Sequence, residues 1–184
     1  LFMLFFSAML GYIAIRLSRA DDFPIGYVNM PWLFWVSTVV VLAASVTIQL
    51  AVVAARRDRF GALRFHLGLT LVLGVVFCVL QAPALYDLLT QHRDLASTAL
   101  AQAADQGRDP GRAFQPFFGL IAVYVFIHAA HVIGGMIHLL VVNVGALRDK
   151  YDHEFYAPVK HAAMYWHFLD AVWVLMFGTM VIFG

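Results

Sequence analysis

Charge is scarce in this chain. Asp, Glu, Lys and Arg make up 12% of its 184 residues, against roughly 25% in an ordinary soluble domain. With 62% hydrophobic and 15% aromatic residues, the deficit points to lipid as the solvent. The formal net charge is only +1, and no basic face is clustered, which excludes nucleic acid as a partner. The single cysteine, Cys78, lies inside an apolar run, so an internal disulfide and a Cys-rich metal site are both excluded. Nucleophile elbow, phosphate loop and dinucleotide fingerprint are all missing. Gly134-Gly135 does not substitute for them, because it falls in the middle of an apolar segment.

Long uncharged runs are present, and the charged residues punctuate them. Leu1 to Ile15, Leu33 to Ala55, Phe65 to Tyr86 and Ala113 to Leu147 contain no Asp, Glu, Lys or Arg, and from His161 to Gly184 the one formal charge is Asp170. A helix rises about 1.5 Å per residue, so about 20 apolar residues cross a hydrocarbon core of about 30 Å. Lipid offers the backbone no hydrogen-bond partner, and each run is continuously apolar rather than alternating, which selects helices over a barrel. The expectation is an all-α integral membrane protein of one domain, 1–184. Its five transmembrane helices cover about 1–19, 32–55, 64–86, 114–147 and 161–184. Leu1 already sits in an apolar run, so residues are expected to precede it or to have been processed off. A signal peptide would need a basic stretch ahead of that run.

The connections are equally legible. Asp21 to Pro31 is rich in turn residues. The stretch from Asp87 to Asp105 lacks Gly and Pro and is rich in Leu, Ala and Gln, which predicts a helix, with Gly107, Pro110 and Gly111 ending it. The second and fourth connections carry Arg56, Arg57, Arg59, Arg64, Arg148, Lys150 and Lys160, whereas the first and third carry Arg16, Arg19, Arg93, Arg108 and Arg112. The excess places connections two and four on the negative side of the membrane. Trp32, Trp35, Tyr12 and Tyr27 suit the headgroup region. The methionines read as packing fillers.

Ionisable residues inside spans are costly and mark function or packing. On the fourth helix, His128, His131 and His138 fall within a sector of roughly 80°, with Gly135 on the same stripe seven residues after His128. Two readings stand: imidazole ligation of a metal or haem, and a packing stripe whose small residues admit a neighbouring helix. On the fifth helix, Trp166, His167 and Asp170 lie within Tyr165-Trp166-His167-Phe168-Leu169-Asp170. The spacing of three puts His167 and Asp170 on one face, so the carboxylate is expected to accept from the imidazole, either as a structural pair or as part of a proton relay.

These two segments carry a resemblance. His128-Ala129-Ala130-His131-Val132-Ile133-Gly134-Gly135 resembles the His-x-x-His-Val-x-x-Gly segment of cytochrome c oxidase subunit III. Tyr165 to Trp173 resembles that family's terminal Trp-His-Phe-x-Asp-x-x-Trp segment. Met3 to Arg16 and the runs Trp35-Val36-Ser37-Thr38 and Ala44-Ser45-Val46-Thr47 are similar to the two preceding family helices. Two family carboxylates are not matched: one would fall at or before Leu1, and Lys160 stands seven residues before His167 where the family commonly has glutamate.

The resemblance implies the five-helix bacterial form of subunit III. It would be a non-catalytic accessory subunit of a haem-copper terminal oxidase in the bacterial cytoplasmic membrane, packing on subunit I, binding phospholipid and supporting proton uptake and stability. Haem and copper are then expected in partner subunits I and II, with none in this chain. Cytochrome c or quinol is met only through the complex. The alternatives are a subunit of a quinol oxidase, an accessory subunit related to nitric oxide reductase, and, in another class, a haem-binding membrane cytochrome. On the leading reading the helix-four and helix-five residues, His128, His131, His138, Gly135, Trp166, His167 and Asp170, make structural, lipid or subunit contacts.

Overall fold

A computed structural model of the chain describes residues 2–18, 32–105 and 110–183. All the secondary structure among them is helical. The helices are α1 (Phe2–Ser18), α2 (Leu33–Arg56), α3 (Phe60–Asp105), α4 (Pro110–Leu147) and α5 (Ala157–Phe183). Among the described residues, four helices are long and apolar enough to cross a membrane: Leu33–Arg56, Phe60–Asp87, Val125–Leu147 and Ala157–Ile182. The chain is an all-α membrane bundle. α1 has 17 residues, about 26 Å at 1.5 Å per residue, slightly short of a full hydrocarbon core.

α3 starts at Phe60 and does not stop where its apolar run ends. The Gly- and Pro-free stretch after Asp87 continues it to Asp105, so of its 46 residues only the 28 from Phe60 to Asp87 form the membrane-length segment. Pro83 lies inside it and removes one rung of the hydrogen-bond ladder. Pro110 then opens α4, where a missing N–H costs nothing. The Asp21–Pro31 loop, Arg19, Tyr27, Gly107 and Arg108 lie outside the described residues, as does the side chain of Tyr12.

α2, α3, α4 and α5 pack in a ring, each against the next and α5 back against α2, while α1 lies against α4 and α5. Both tight turns, α2 to α3 and α4 to α5, are at one end. α2 closes with Arg59 N–H donating to Ala54 O (3.0 Å) and Asp58 N–H to Ala55 O (3.2 Å). α4 closes the same way, with Lys150 N–H to Gly145 O (3.1 Å) and Asp149 N–H to Ala146 O (3.3 Å). This is the Schellman pattern, with Asp58 (φ 52°) and Asp149 (φ 53°) at the left-handed position usually given to glycine. Both carboxylates reach the neighbouring turn. Asp149 pairs with Arg64, and Asp58 accepts from His153 N–H (2.9 Å) and pairs with its Nδ1 (2.9 Å).

The core has two regions. Near the turns it consists of small and aliphatic residues, among them Ala44, Ile48, Ala51, Leu63, Leu67, Leu139, Val142 and Ala162. Towards the other end it is aromatic and sulfur-rich: Phe5, Phe34, Phe77, Trp173, Met176, Phe177 and Met180. Met176 and Met180 fill gaps as expected, but Met3 and Met164 are exposed within the chain.

Candidate functional site

The helix-five motif lies at the seam of the bundle, and its members face different neighbours. His167 turns towards α2. The Ser45 hydroxyl lies 2.6 Å from His167 Nδ1, and Gln49 Oε1 lies 3.3 Å from Nε2. An amide oxygen only accepts, so Nε2 carries a proton and donates to Gln49, while the Ser45 hydroxyl, which can donate or accept, faces Nδ1. This corrects the expected pairing with Asp170. A spacing of three sets two side chains on adjacent positions of a helix but does not decide which neighbour each one meets, and both ring nitrogens of His167 are taken by α2.

Asp170 is 5% exposed, and neither carboxyl oxygen has a hydrogen-bond partner among the described residues. It lines a void of about 10 Å³ together with His128, Trp166 and Trp173. His128 is 4% exposed. Its ring stacks on Trp173 (centroids 5.9 Å, 25°) and meets Phe5 edge-on at 6.1 Å. Its two nitrogens, like Trp166 Nε1, are unpartnered among the described residues.

His131 behaves differently. Its Nδ1–H donates to Ile127 O one turn back (2.7 Å), its ring abuts Phe5 at 5.5 Å, and its carbonyl accepts from the Tyr165 hydroxyl (3.2 Å). His138 is half-buried further along α4. His128, His131 and His167 thus face α5, α4's own backbone and α2 respectively, and do not converge. Among the described residues no three His, Cys, Asp or Glu side chains gather around a common point.

The small residues of the stripe have a definite role. A Cβ at Gly135 would stand 2.9 Å from Leu169 Cδ1 and 3.0 Å from the Tyr165 ring, so the missing side chain lets α5 approach α4. Gly74 on α3, not singled out from sequence, does the same for Trp166, whose ring would come within 3.0 Å of a Cβ there.

Other contributors were not singled out as site residues, although Trp173, Thr38 and Thr47 lie in the segments that carry the resemblance. Trp173 Nε1–H donates to Thr38 Oγ1 (3.0 Å). Thr47 and Thr70 hydroxyls meet at 2.8 Å. Asn143 Nδ2 donates to the carbonyls of Leu67 and Leu139 (both 3.1 Å). The signal for them was simply Ser, Thr, Asn and Gln inside apolar runs, which carry no charge to attract attention.

Between α3, α4 and the far end of α5 lies an apolar cavity of about 250 Å³, bordered by Phe77, Cys78, Gln81, His128 and Trp173. Gln81 Nε2 is buried there without a partner among the described residues.

No family model matches the chain. Individual proteins do. It is 30% identical over 155 residues to cytochrome c oxidase subunit 3 of Corynebacterium diphtheriae, which covers 84% of this chain and 66% of that protein. To the same subunit of Bacillus subtilis it is 28% identical over 183 residues, 98% of this chain and 80% of the relative. The subunit of Alkalihalophilus pseudofirmus matches at 25% over 184 residues. The chain therefore spans between about two thirds and four fifths of these relatives' lengths. Taken with the bundle of membrane-length helices and the placement of the α4 and α5 motifs at its packing seams, these matches establish that the chain belongs to the cytochrome c oxidase subunit III family.

Proposed function

We propose that this chain is the non-catalytic accessory subunit of a bacterial terminal oxidase. In this reading it packs on catalytic subunit I in the cytoplasmic membrane, with subunits I and II holding the haems and copper. The observation that carries the reading is the fate of the α5 motif. Trp166, His167 and Trp173 are spent on contacts between helices: both ring nitrogens of His167 face Ser45 and Gln49 of α2, Trp173 Nε1–H donates to Thr38, and the Trp166 ring lies across Gly74 of α3. Residues used this way hold a scaffold together and leave electron transfer to other subunits.

Phospholipid binding belongs to the same proposal. The 250 Å³ cavity is walled by Phe77, Leu85, Val125, Ile133 and Met180, side chains that suit an acyl chain. Support of proton uptake is the least direct part. Lys160, exposed at the start of α5, offers no carboxylate, and Asp170 is sealed inside the bundle.

The test is affinity purification of a tagged chain from its native membrane in mild detergent. The expected result is co-purification with a haem-copper subunit, a Soret band in the complex, oxidation of reduced cytochrome c, and phospholipid phosphorus that survives washing. Recovery of the chain free of any haem-copper subunit would overturn the proposal.

A further inference from the structure

Three polar side chains form a hydrogen-bonded string on the outside of the bundle, at mid-membrane. Ser45 is the thirteenth of the 24 residues of α2, and His167 the eleventh of the 27 of α5. Gln49 follows Ser45 by one turn, about 6 Å along the axis. Its outer link is directed: His167 Nε2–H donates to Gln49 Oε1 (3.3 Å), while the Ser45 hydroxyl meets Nδ1 at 2.6 Å. It ends on the Gln49 amide nitrogen, whose two N–H groups find no acceptor among the described residues. Gln49 is exposed. Around it lie Leu42, Val46 and Leu50 of α2 and Met164 of α5, all exposed as well.

Lipid cannot complete this string. Its ester oxygens lie at the interface, about 15 Å from the centre of a core of about 30 Å and so still about 9 Å beyond Gln49, and its chains accept nothing. An unsatisfied polar group in hydrocarbon costs several kcal/mol, and polar residues at that depth normally face protein. α3 and α4 pack elsewhere around the ring, and α1 lies on the α4–α5 side.

We propose that the outer seam between α2 and α5 is the docking face for a transmembrane helix of a partner subunit, which presents an accepting oxygen (carboxyl, amide, hydroxyl or free backbone carbonyl) to Gln49 Nε2. The partner's identity rests on the accessory-subunit reading above. The chemistry it must bring follows from the string itself. Val46 and Met164 supply the apolar flanks of the contact, and the donor at Gln49 sets its register.

The experiment is site-specific photo-crosslinking in native membranes. A photoreactive phenylalanine analogue replaces Val46 or Met164, each with and without Gln49→Leu. Adducts from both positions on a second polypeptide are expected, with a yield that falls at least several-fold when Gln49 becomes Leu. Adducts on phospholipid alone overturn the docking face. A polypeptide adduct indifferent to Gln49→Leu overturns the acceptor chemistry. If Gln49→Leu does not accumulate, the adducts in the otherwise native chain decide the face, and Gln49→Met, which keeps length without donors, decides the chemistry. The crosslinked polypeptide also separates the two readings. A haem-copper subunit agrees with both, whereas a different membrane protein keeps the face and removes the oxidase assignment.

Discussion

The two ends of the bundle solve the membrane problem differently. At the turn end, alanines (Ala44, Ala51, Ala55, Ala162, Ala163) let the helices close up, and several polar groups there are paired, although Trp166 Nε1 and His66 Nδ1 lack a partner among the described residues. Asn143 caps two carbonyls, Thr47 meets Thr70, and Arg64 Nε–H donates to Ala146 O at 3.1 Å. At the other end, Phe34, Phe77, Trp173 and Phe177 space the helices with stacked and edge-on rings. The result is a 250 Å³ cavity and unpartnered polar atoms on Gln81, His128 and Asp170. Small residues bring backbones close enough for polar groups to pair. Large rings add contact area but leave gaps and strand polar groups beside them.

The largest break in this contrast is expected from Trp173→Ala. It removes a ring that touches Phe34, Phe77, His128 and Phe177 and strands the Thr38 hydroxyl acceptor. A loss of about 3–5 kcal/mol is expected, typical of Trp-to-Ala in a packed core, read from the unfolding midpoint of the subunit in detergent. An unchanged midpoint would mean that the aromatic end carries little of the fold.

Next in size is Gly135→Val, which drives a side chain into Leu169 and the Tyr165 ring. About 1–3 kcal/mol is expected for such overpacking. Gly68→Ala is the counterpart, because a Cβ there meets nothing within 4 Å. It should lose nothing and gain up to about 1 kcal/mol in helix propensity. Equal behaviour of the two variants would sink the close-approach reading of the stripe.

Arg64→Ala at the turn end is expected to cost at most about 1 kcal/mol. The Arg64 and Asp149 side chains are 37% and 67% exposed, and ion pairs of that kind are heavily screened. High salt should shrink the difference further.

The smallest effect concerns pH. Tyr151, outside the spans, packs beside Gly145, and burial raises its phenol above the ordinary value of 10.0. Its folded pKa exceeds its unfolded one. That contribution to stability is therefore complete below pH 10 and fades as pH climbs through the folded value. Tyr151→Phe should remove this alkaline dependence.

Much of this architecture was legible because lipid excludes charge. Arg56 to Arg59 and Arg148 to Lys160 bracket the turns, and the uncharged runs between such clusters became helices. Gly135 was named on the histidine stripe, where packing was one of two readings, and a Cβ there would meet Leu169 and Tyr165. The partner of His167 was not. Helical spacing ranks neighbours within α5, and only the ring order of the bundle brings Ser45 and Gln49 of α2 to it. Gly74 was silent too, because nothing in α3 announces that Trp166 of α5 will lie across it. The stretch from Asp87 to Asp105 was read as helical and is so, but its fusion with the membrane segment into one helix was not legible. Apolar periodicity locates a membrane segment, whereas helix propensity alone carried the chain from Asp87 to Asp105.

The central claim is that the buried histidines and Asp170 serve helix packing and assembly while the redox centres sit in other subunits. Elemental analysis for iron and copper settles it most directly, on the intact complex and on this subunit after dissociation and repurification. Metal is expected in the complex and less than a tenth of an equivalent in the folded isolated chain, with no Soret band. Stoichiometric iron or copper remaining on the isolated chain would contradict it.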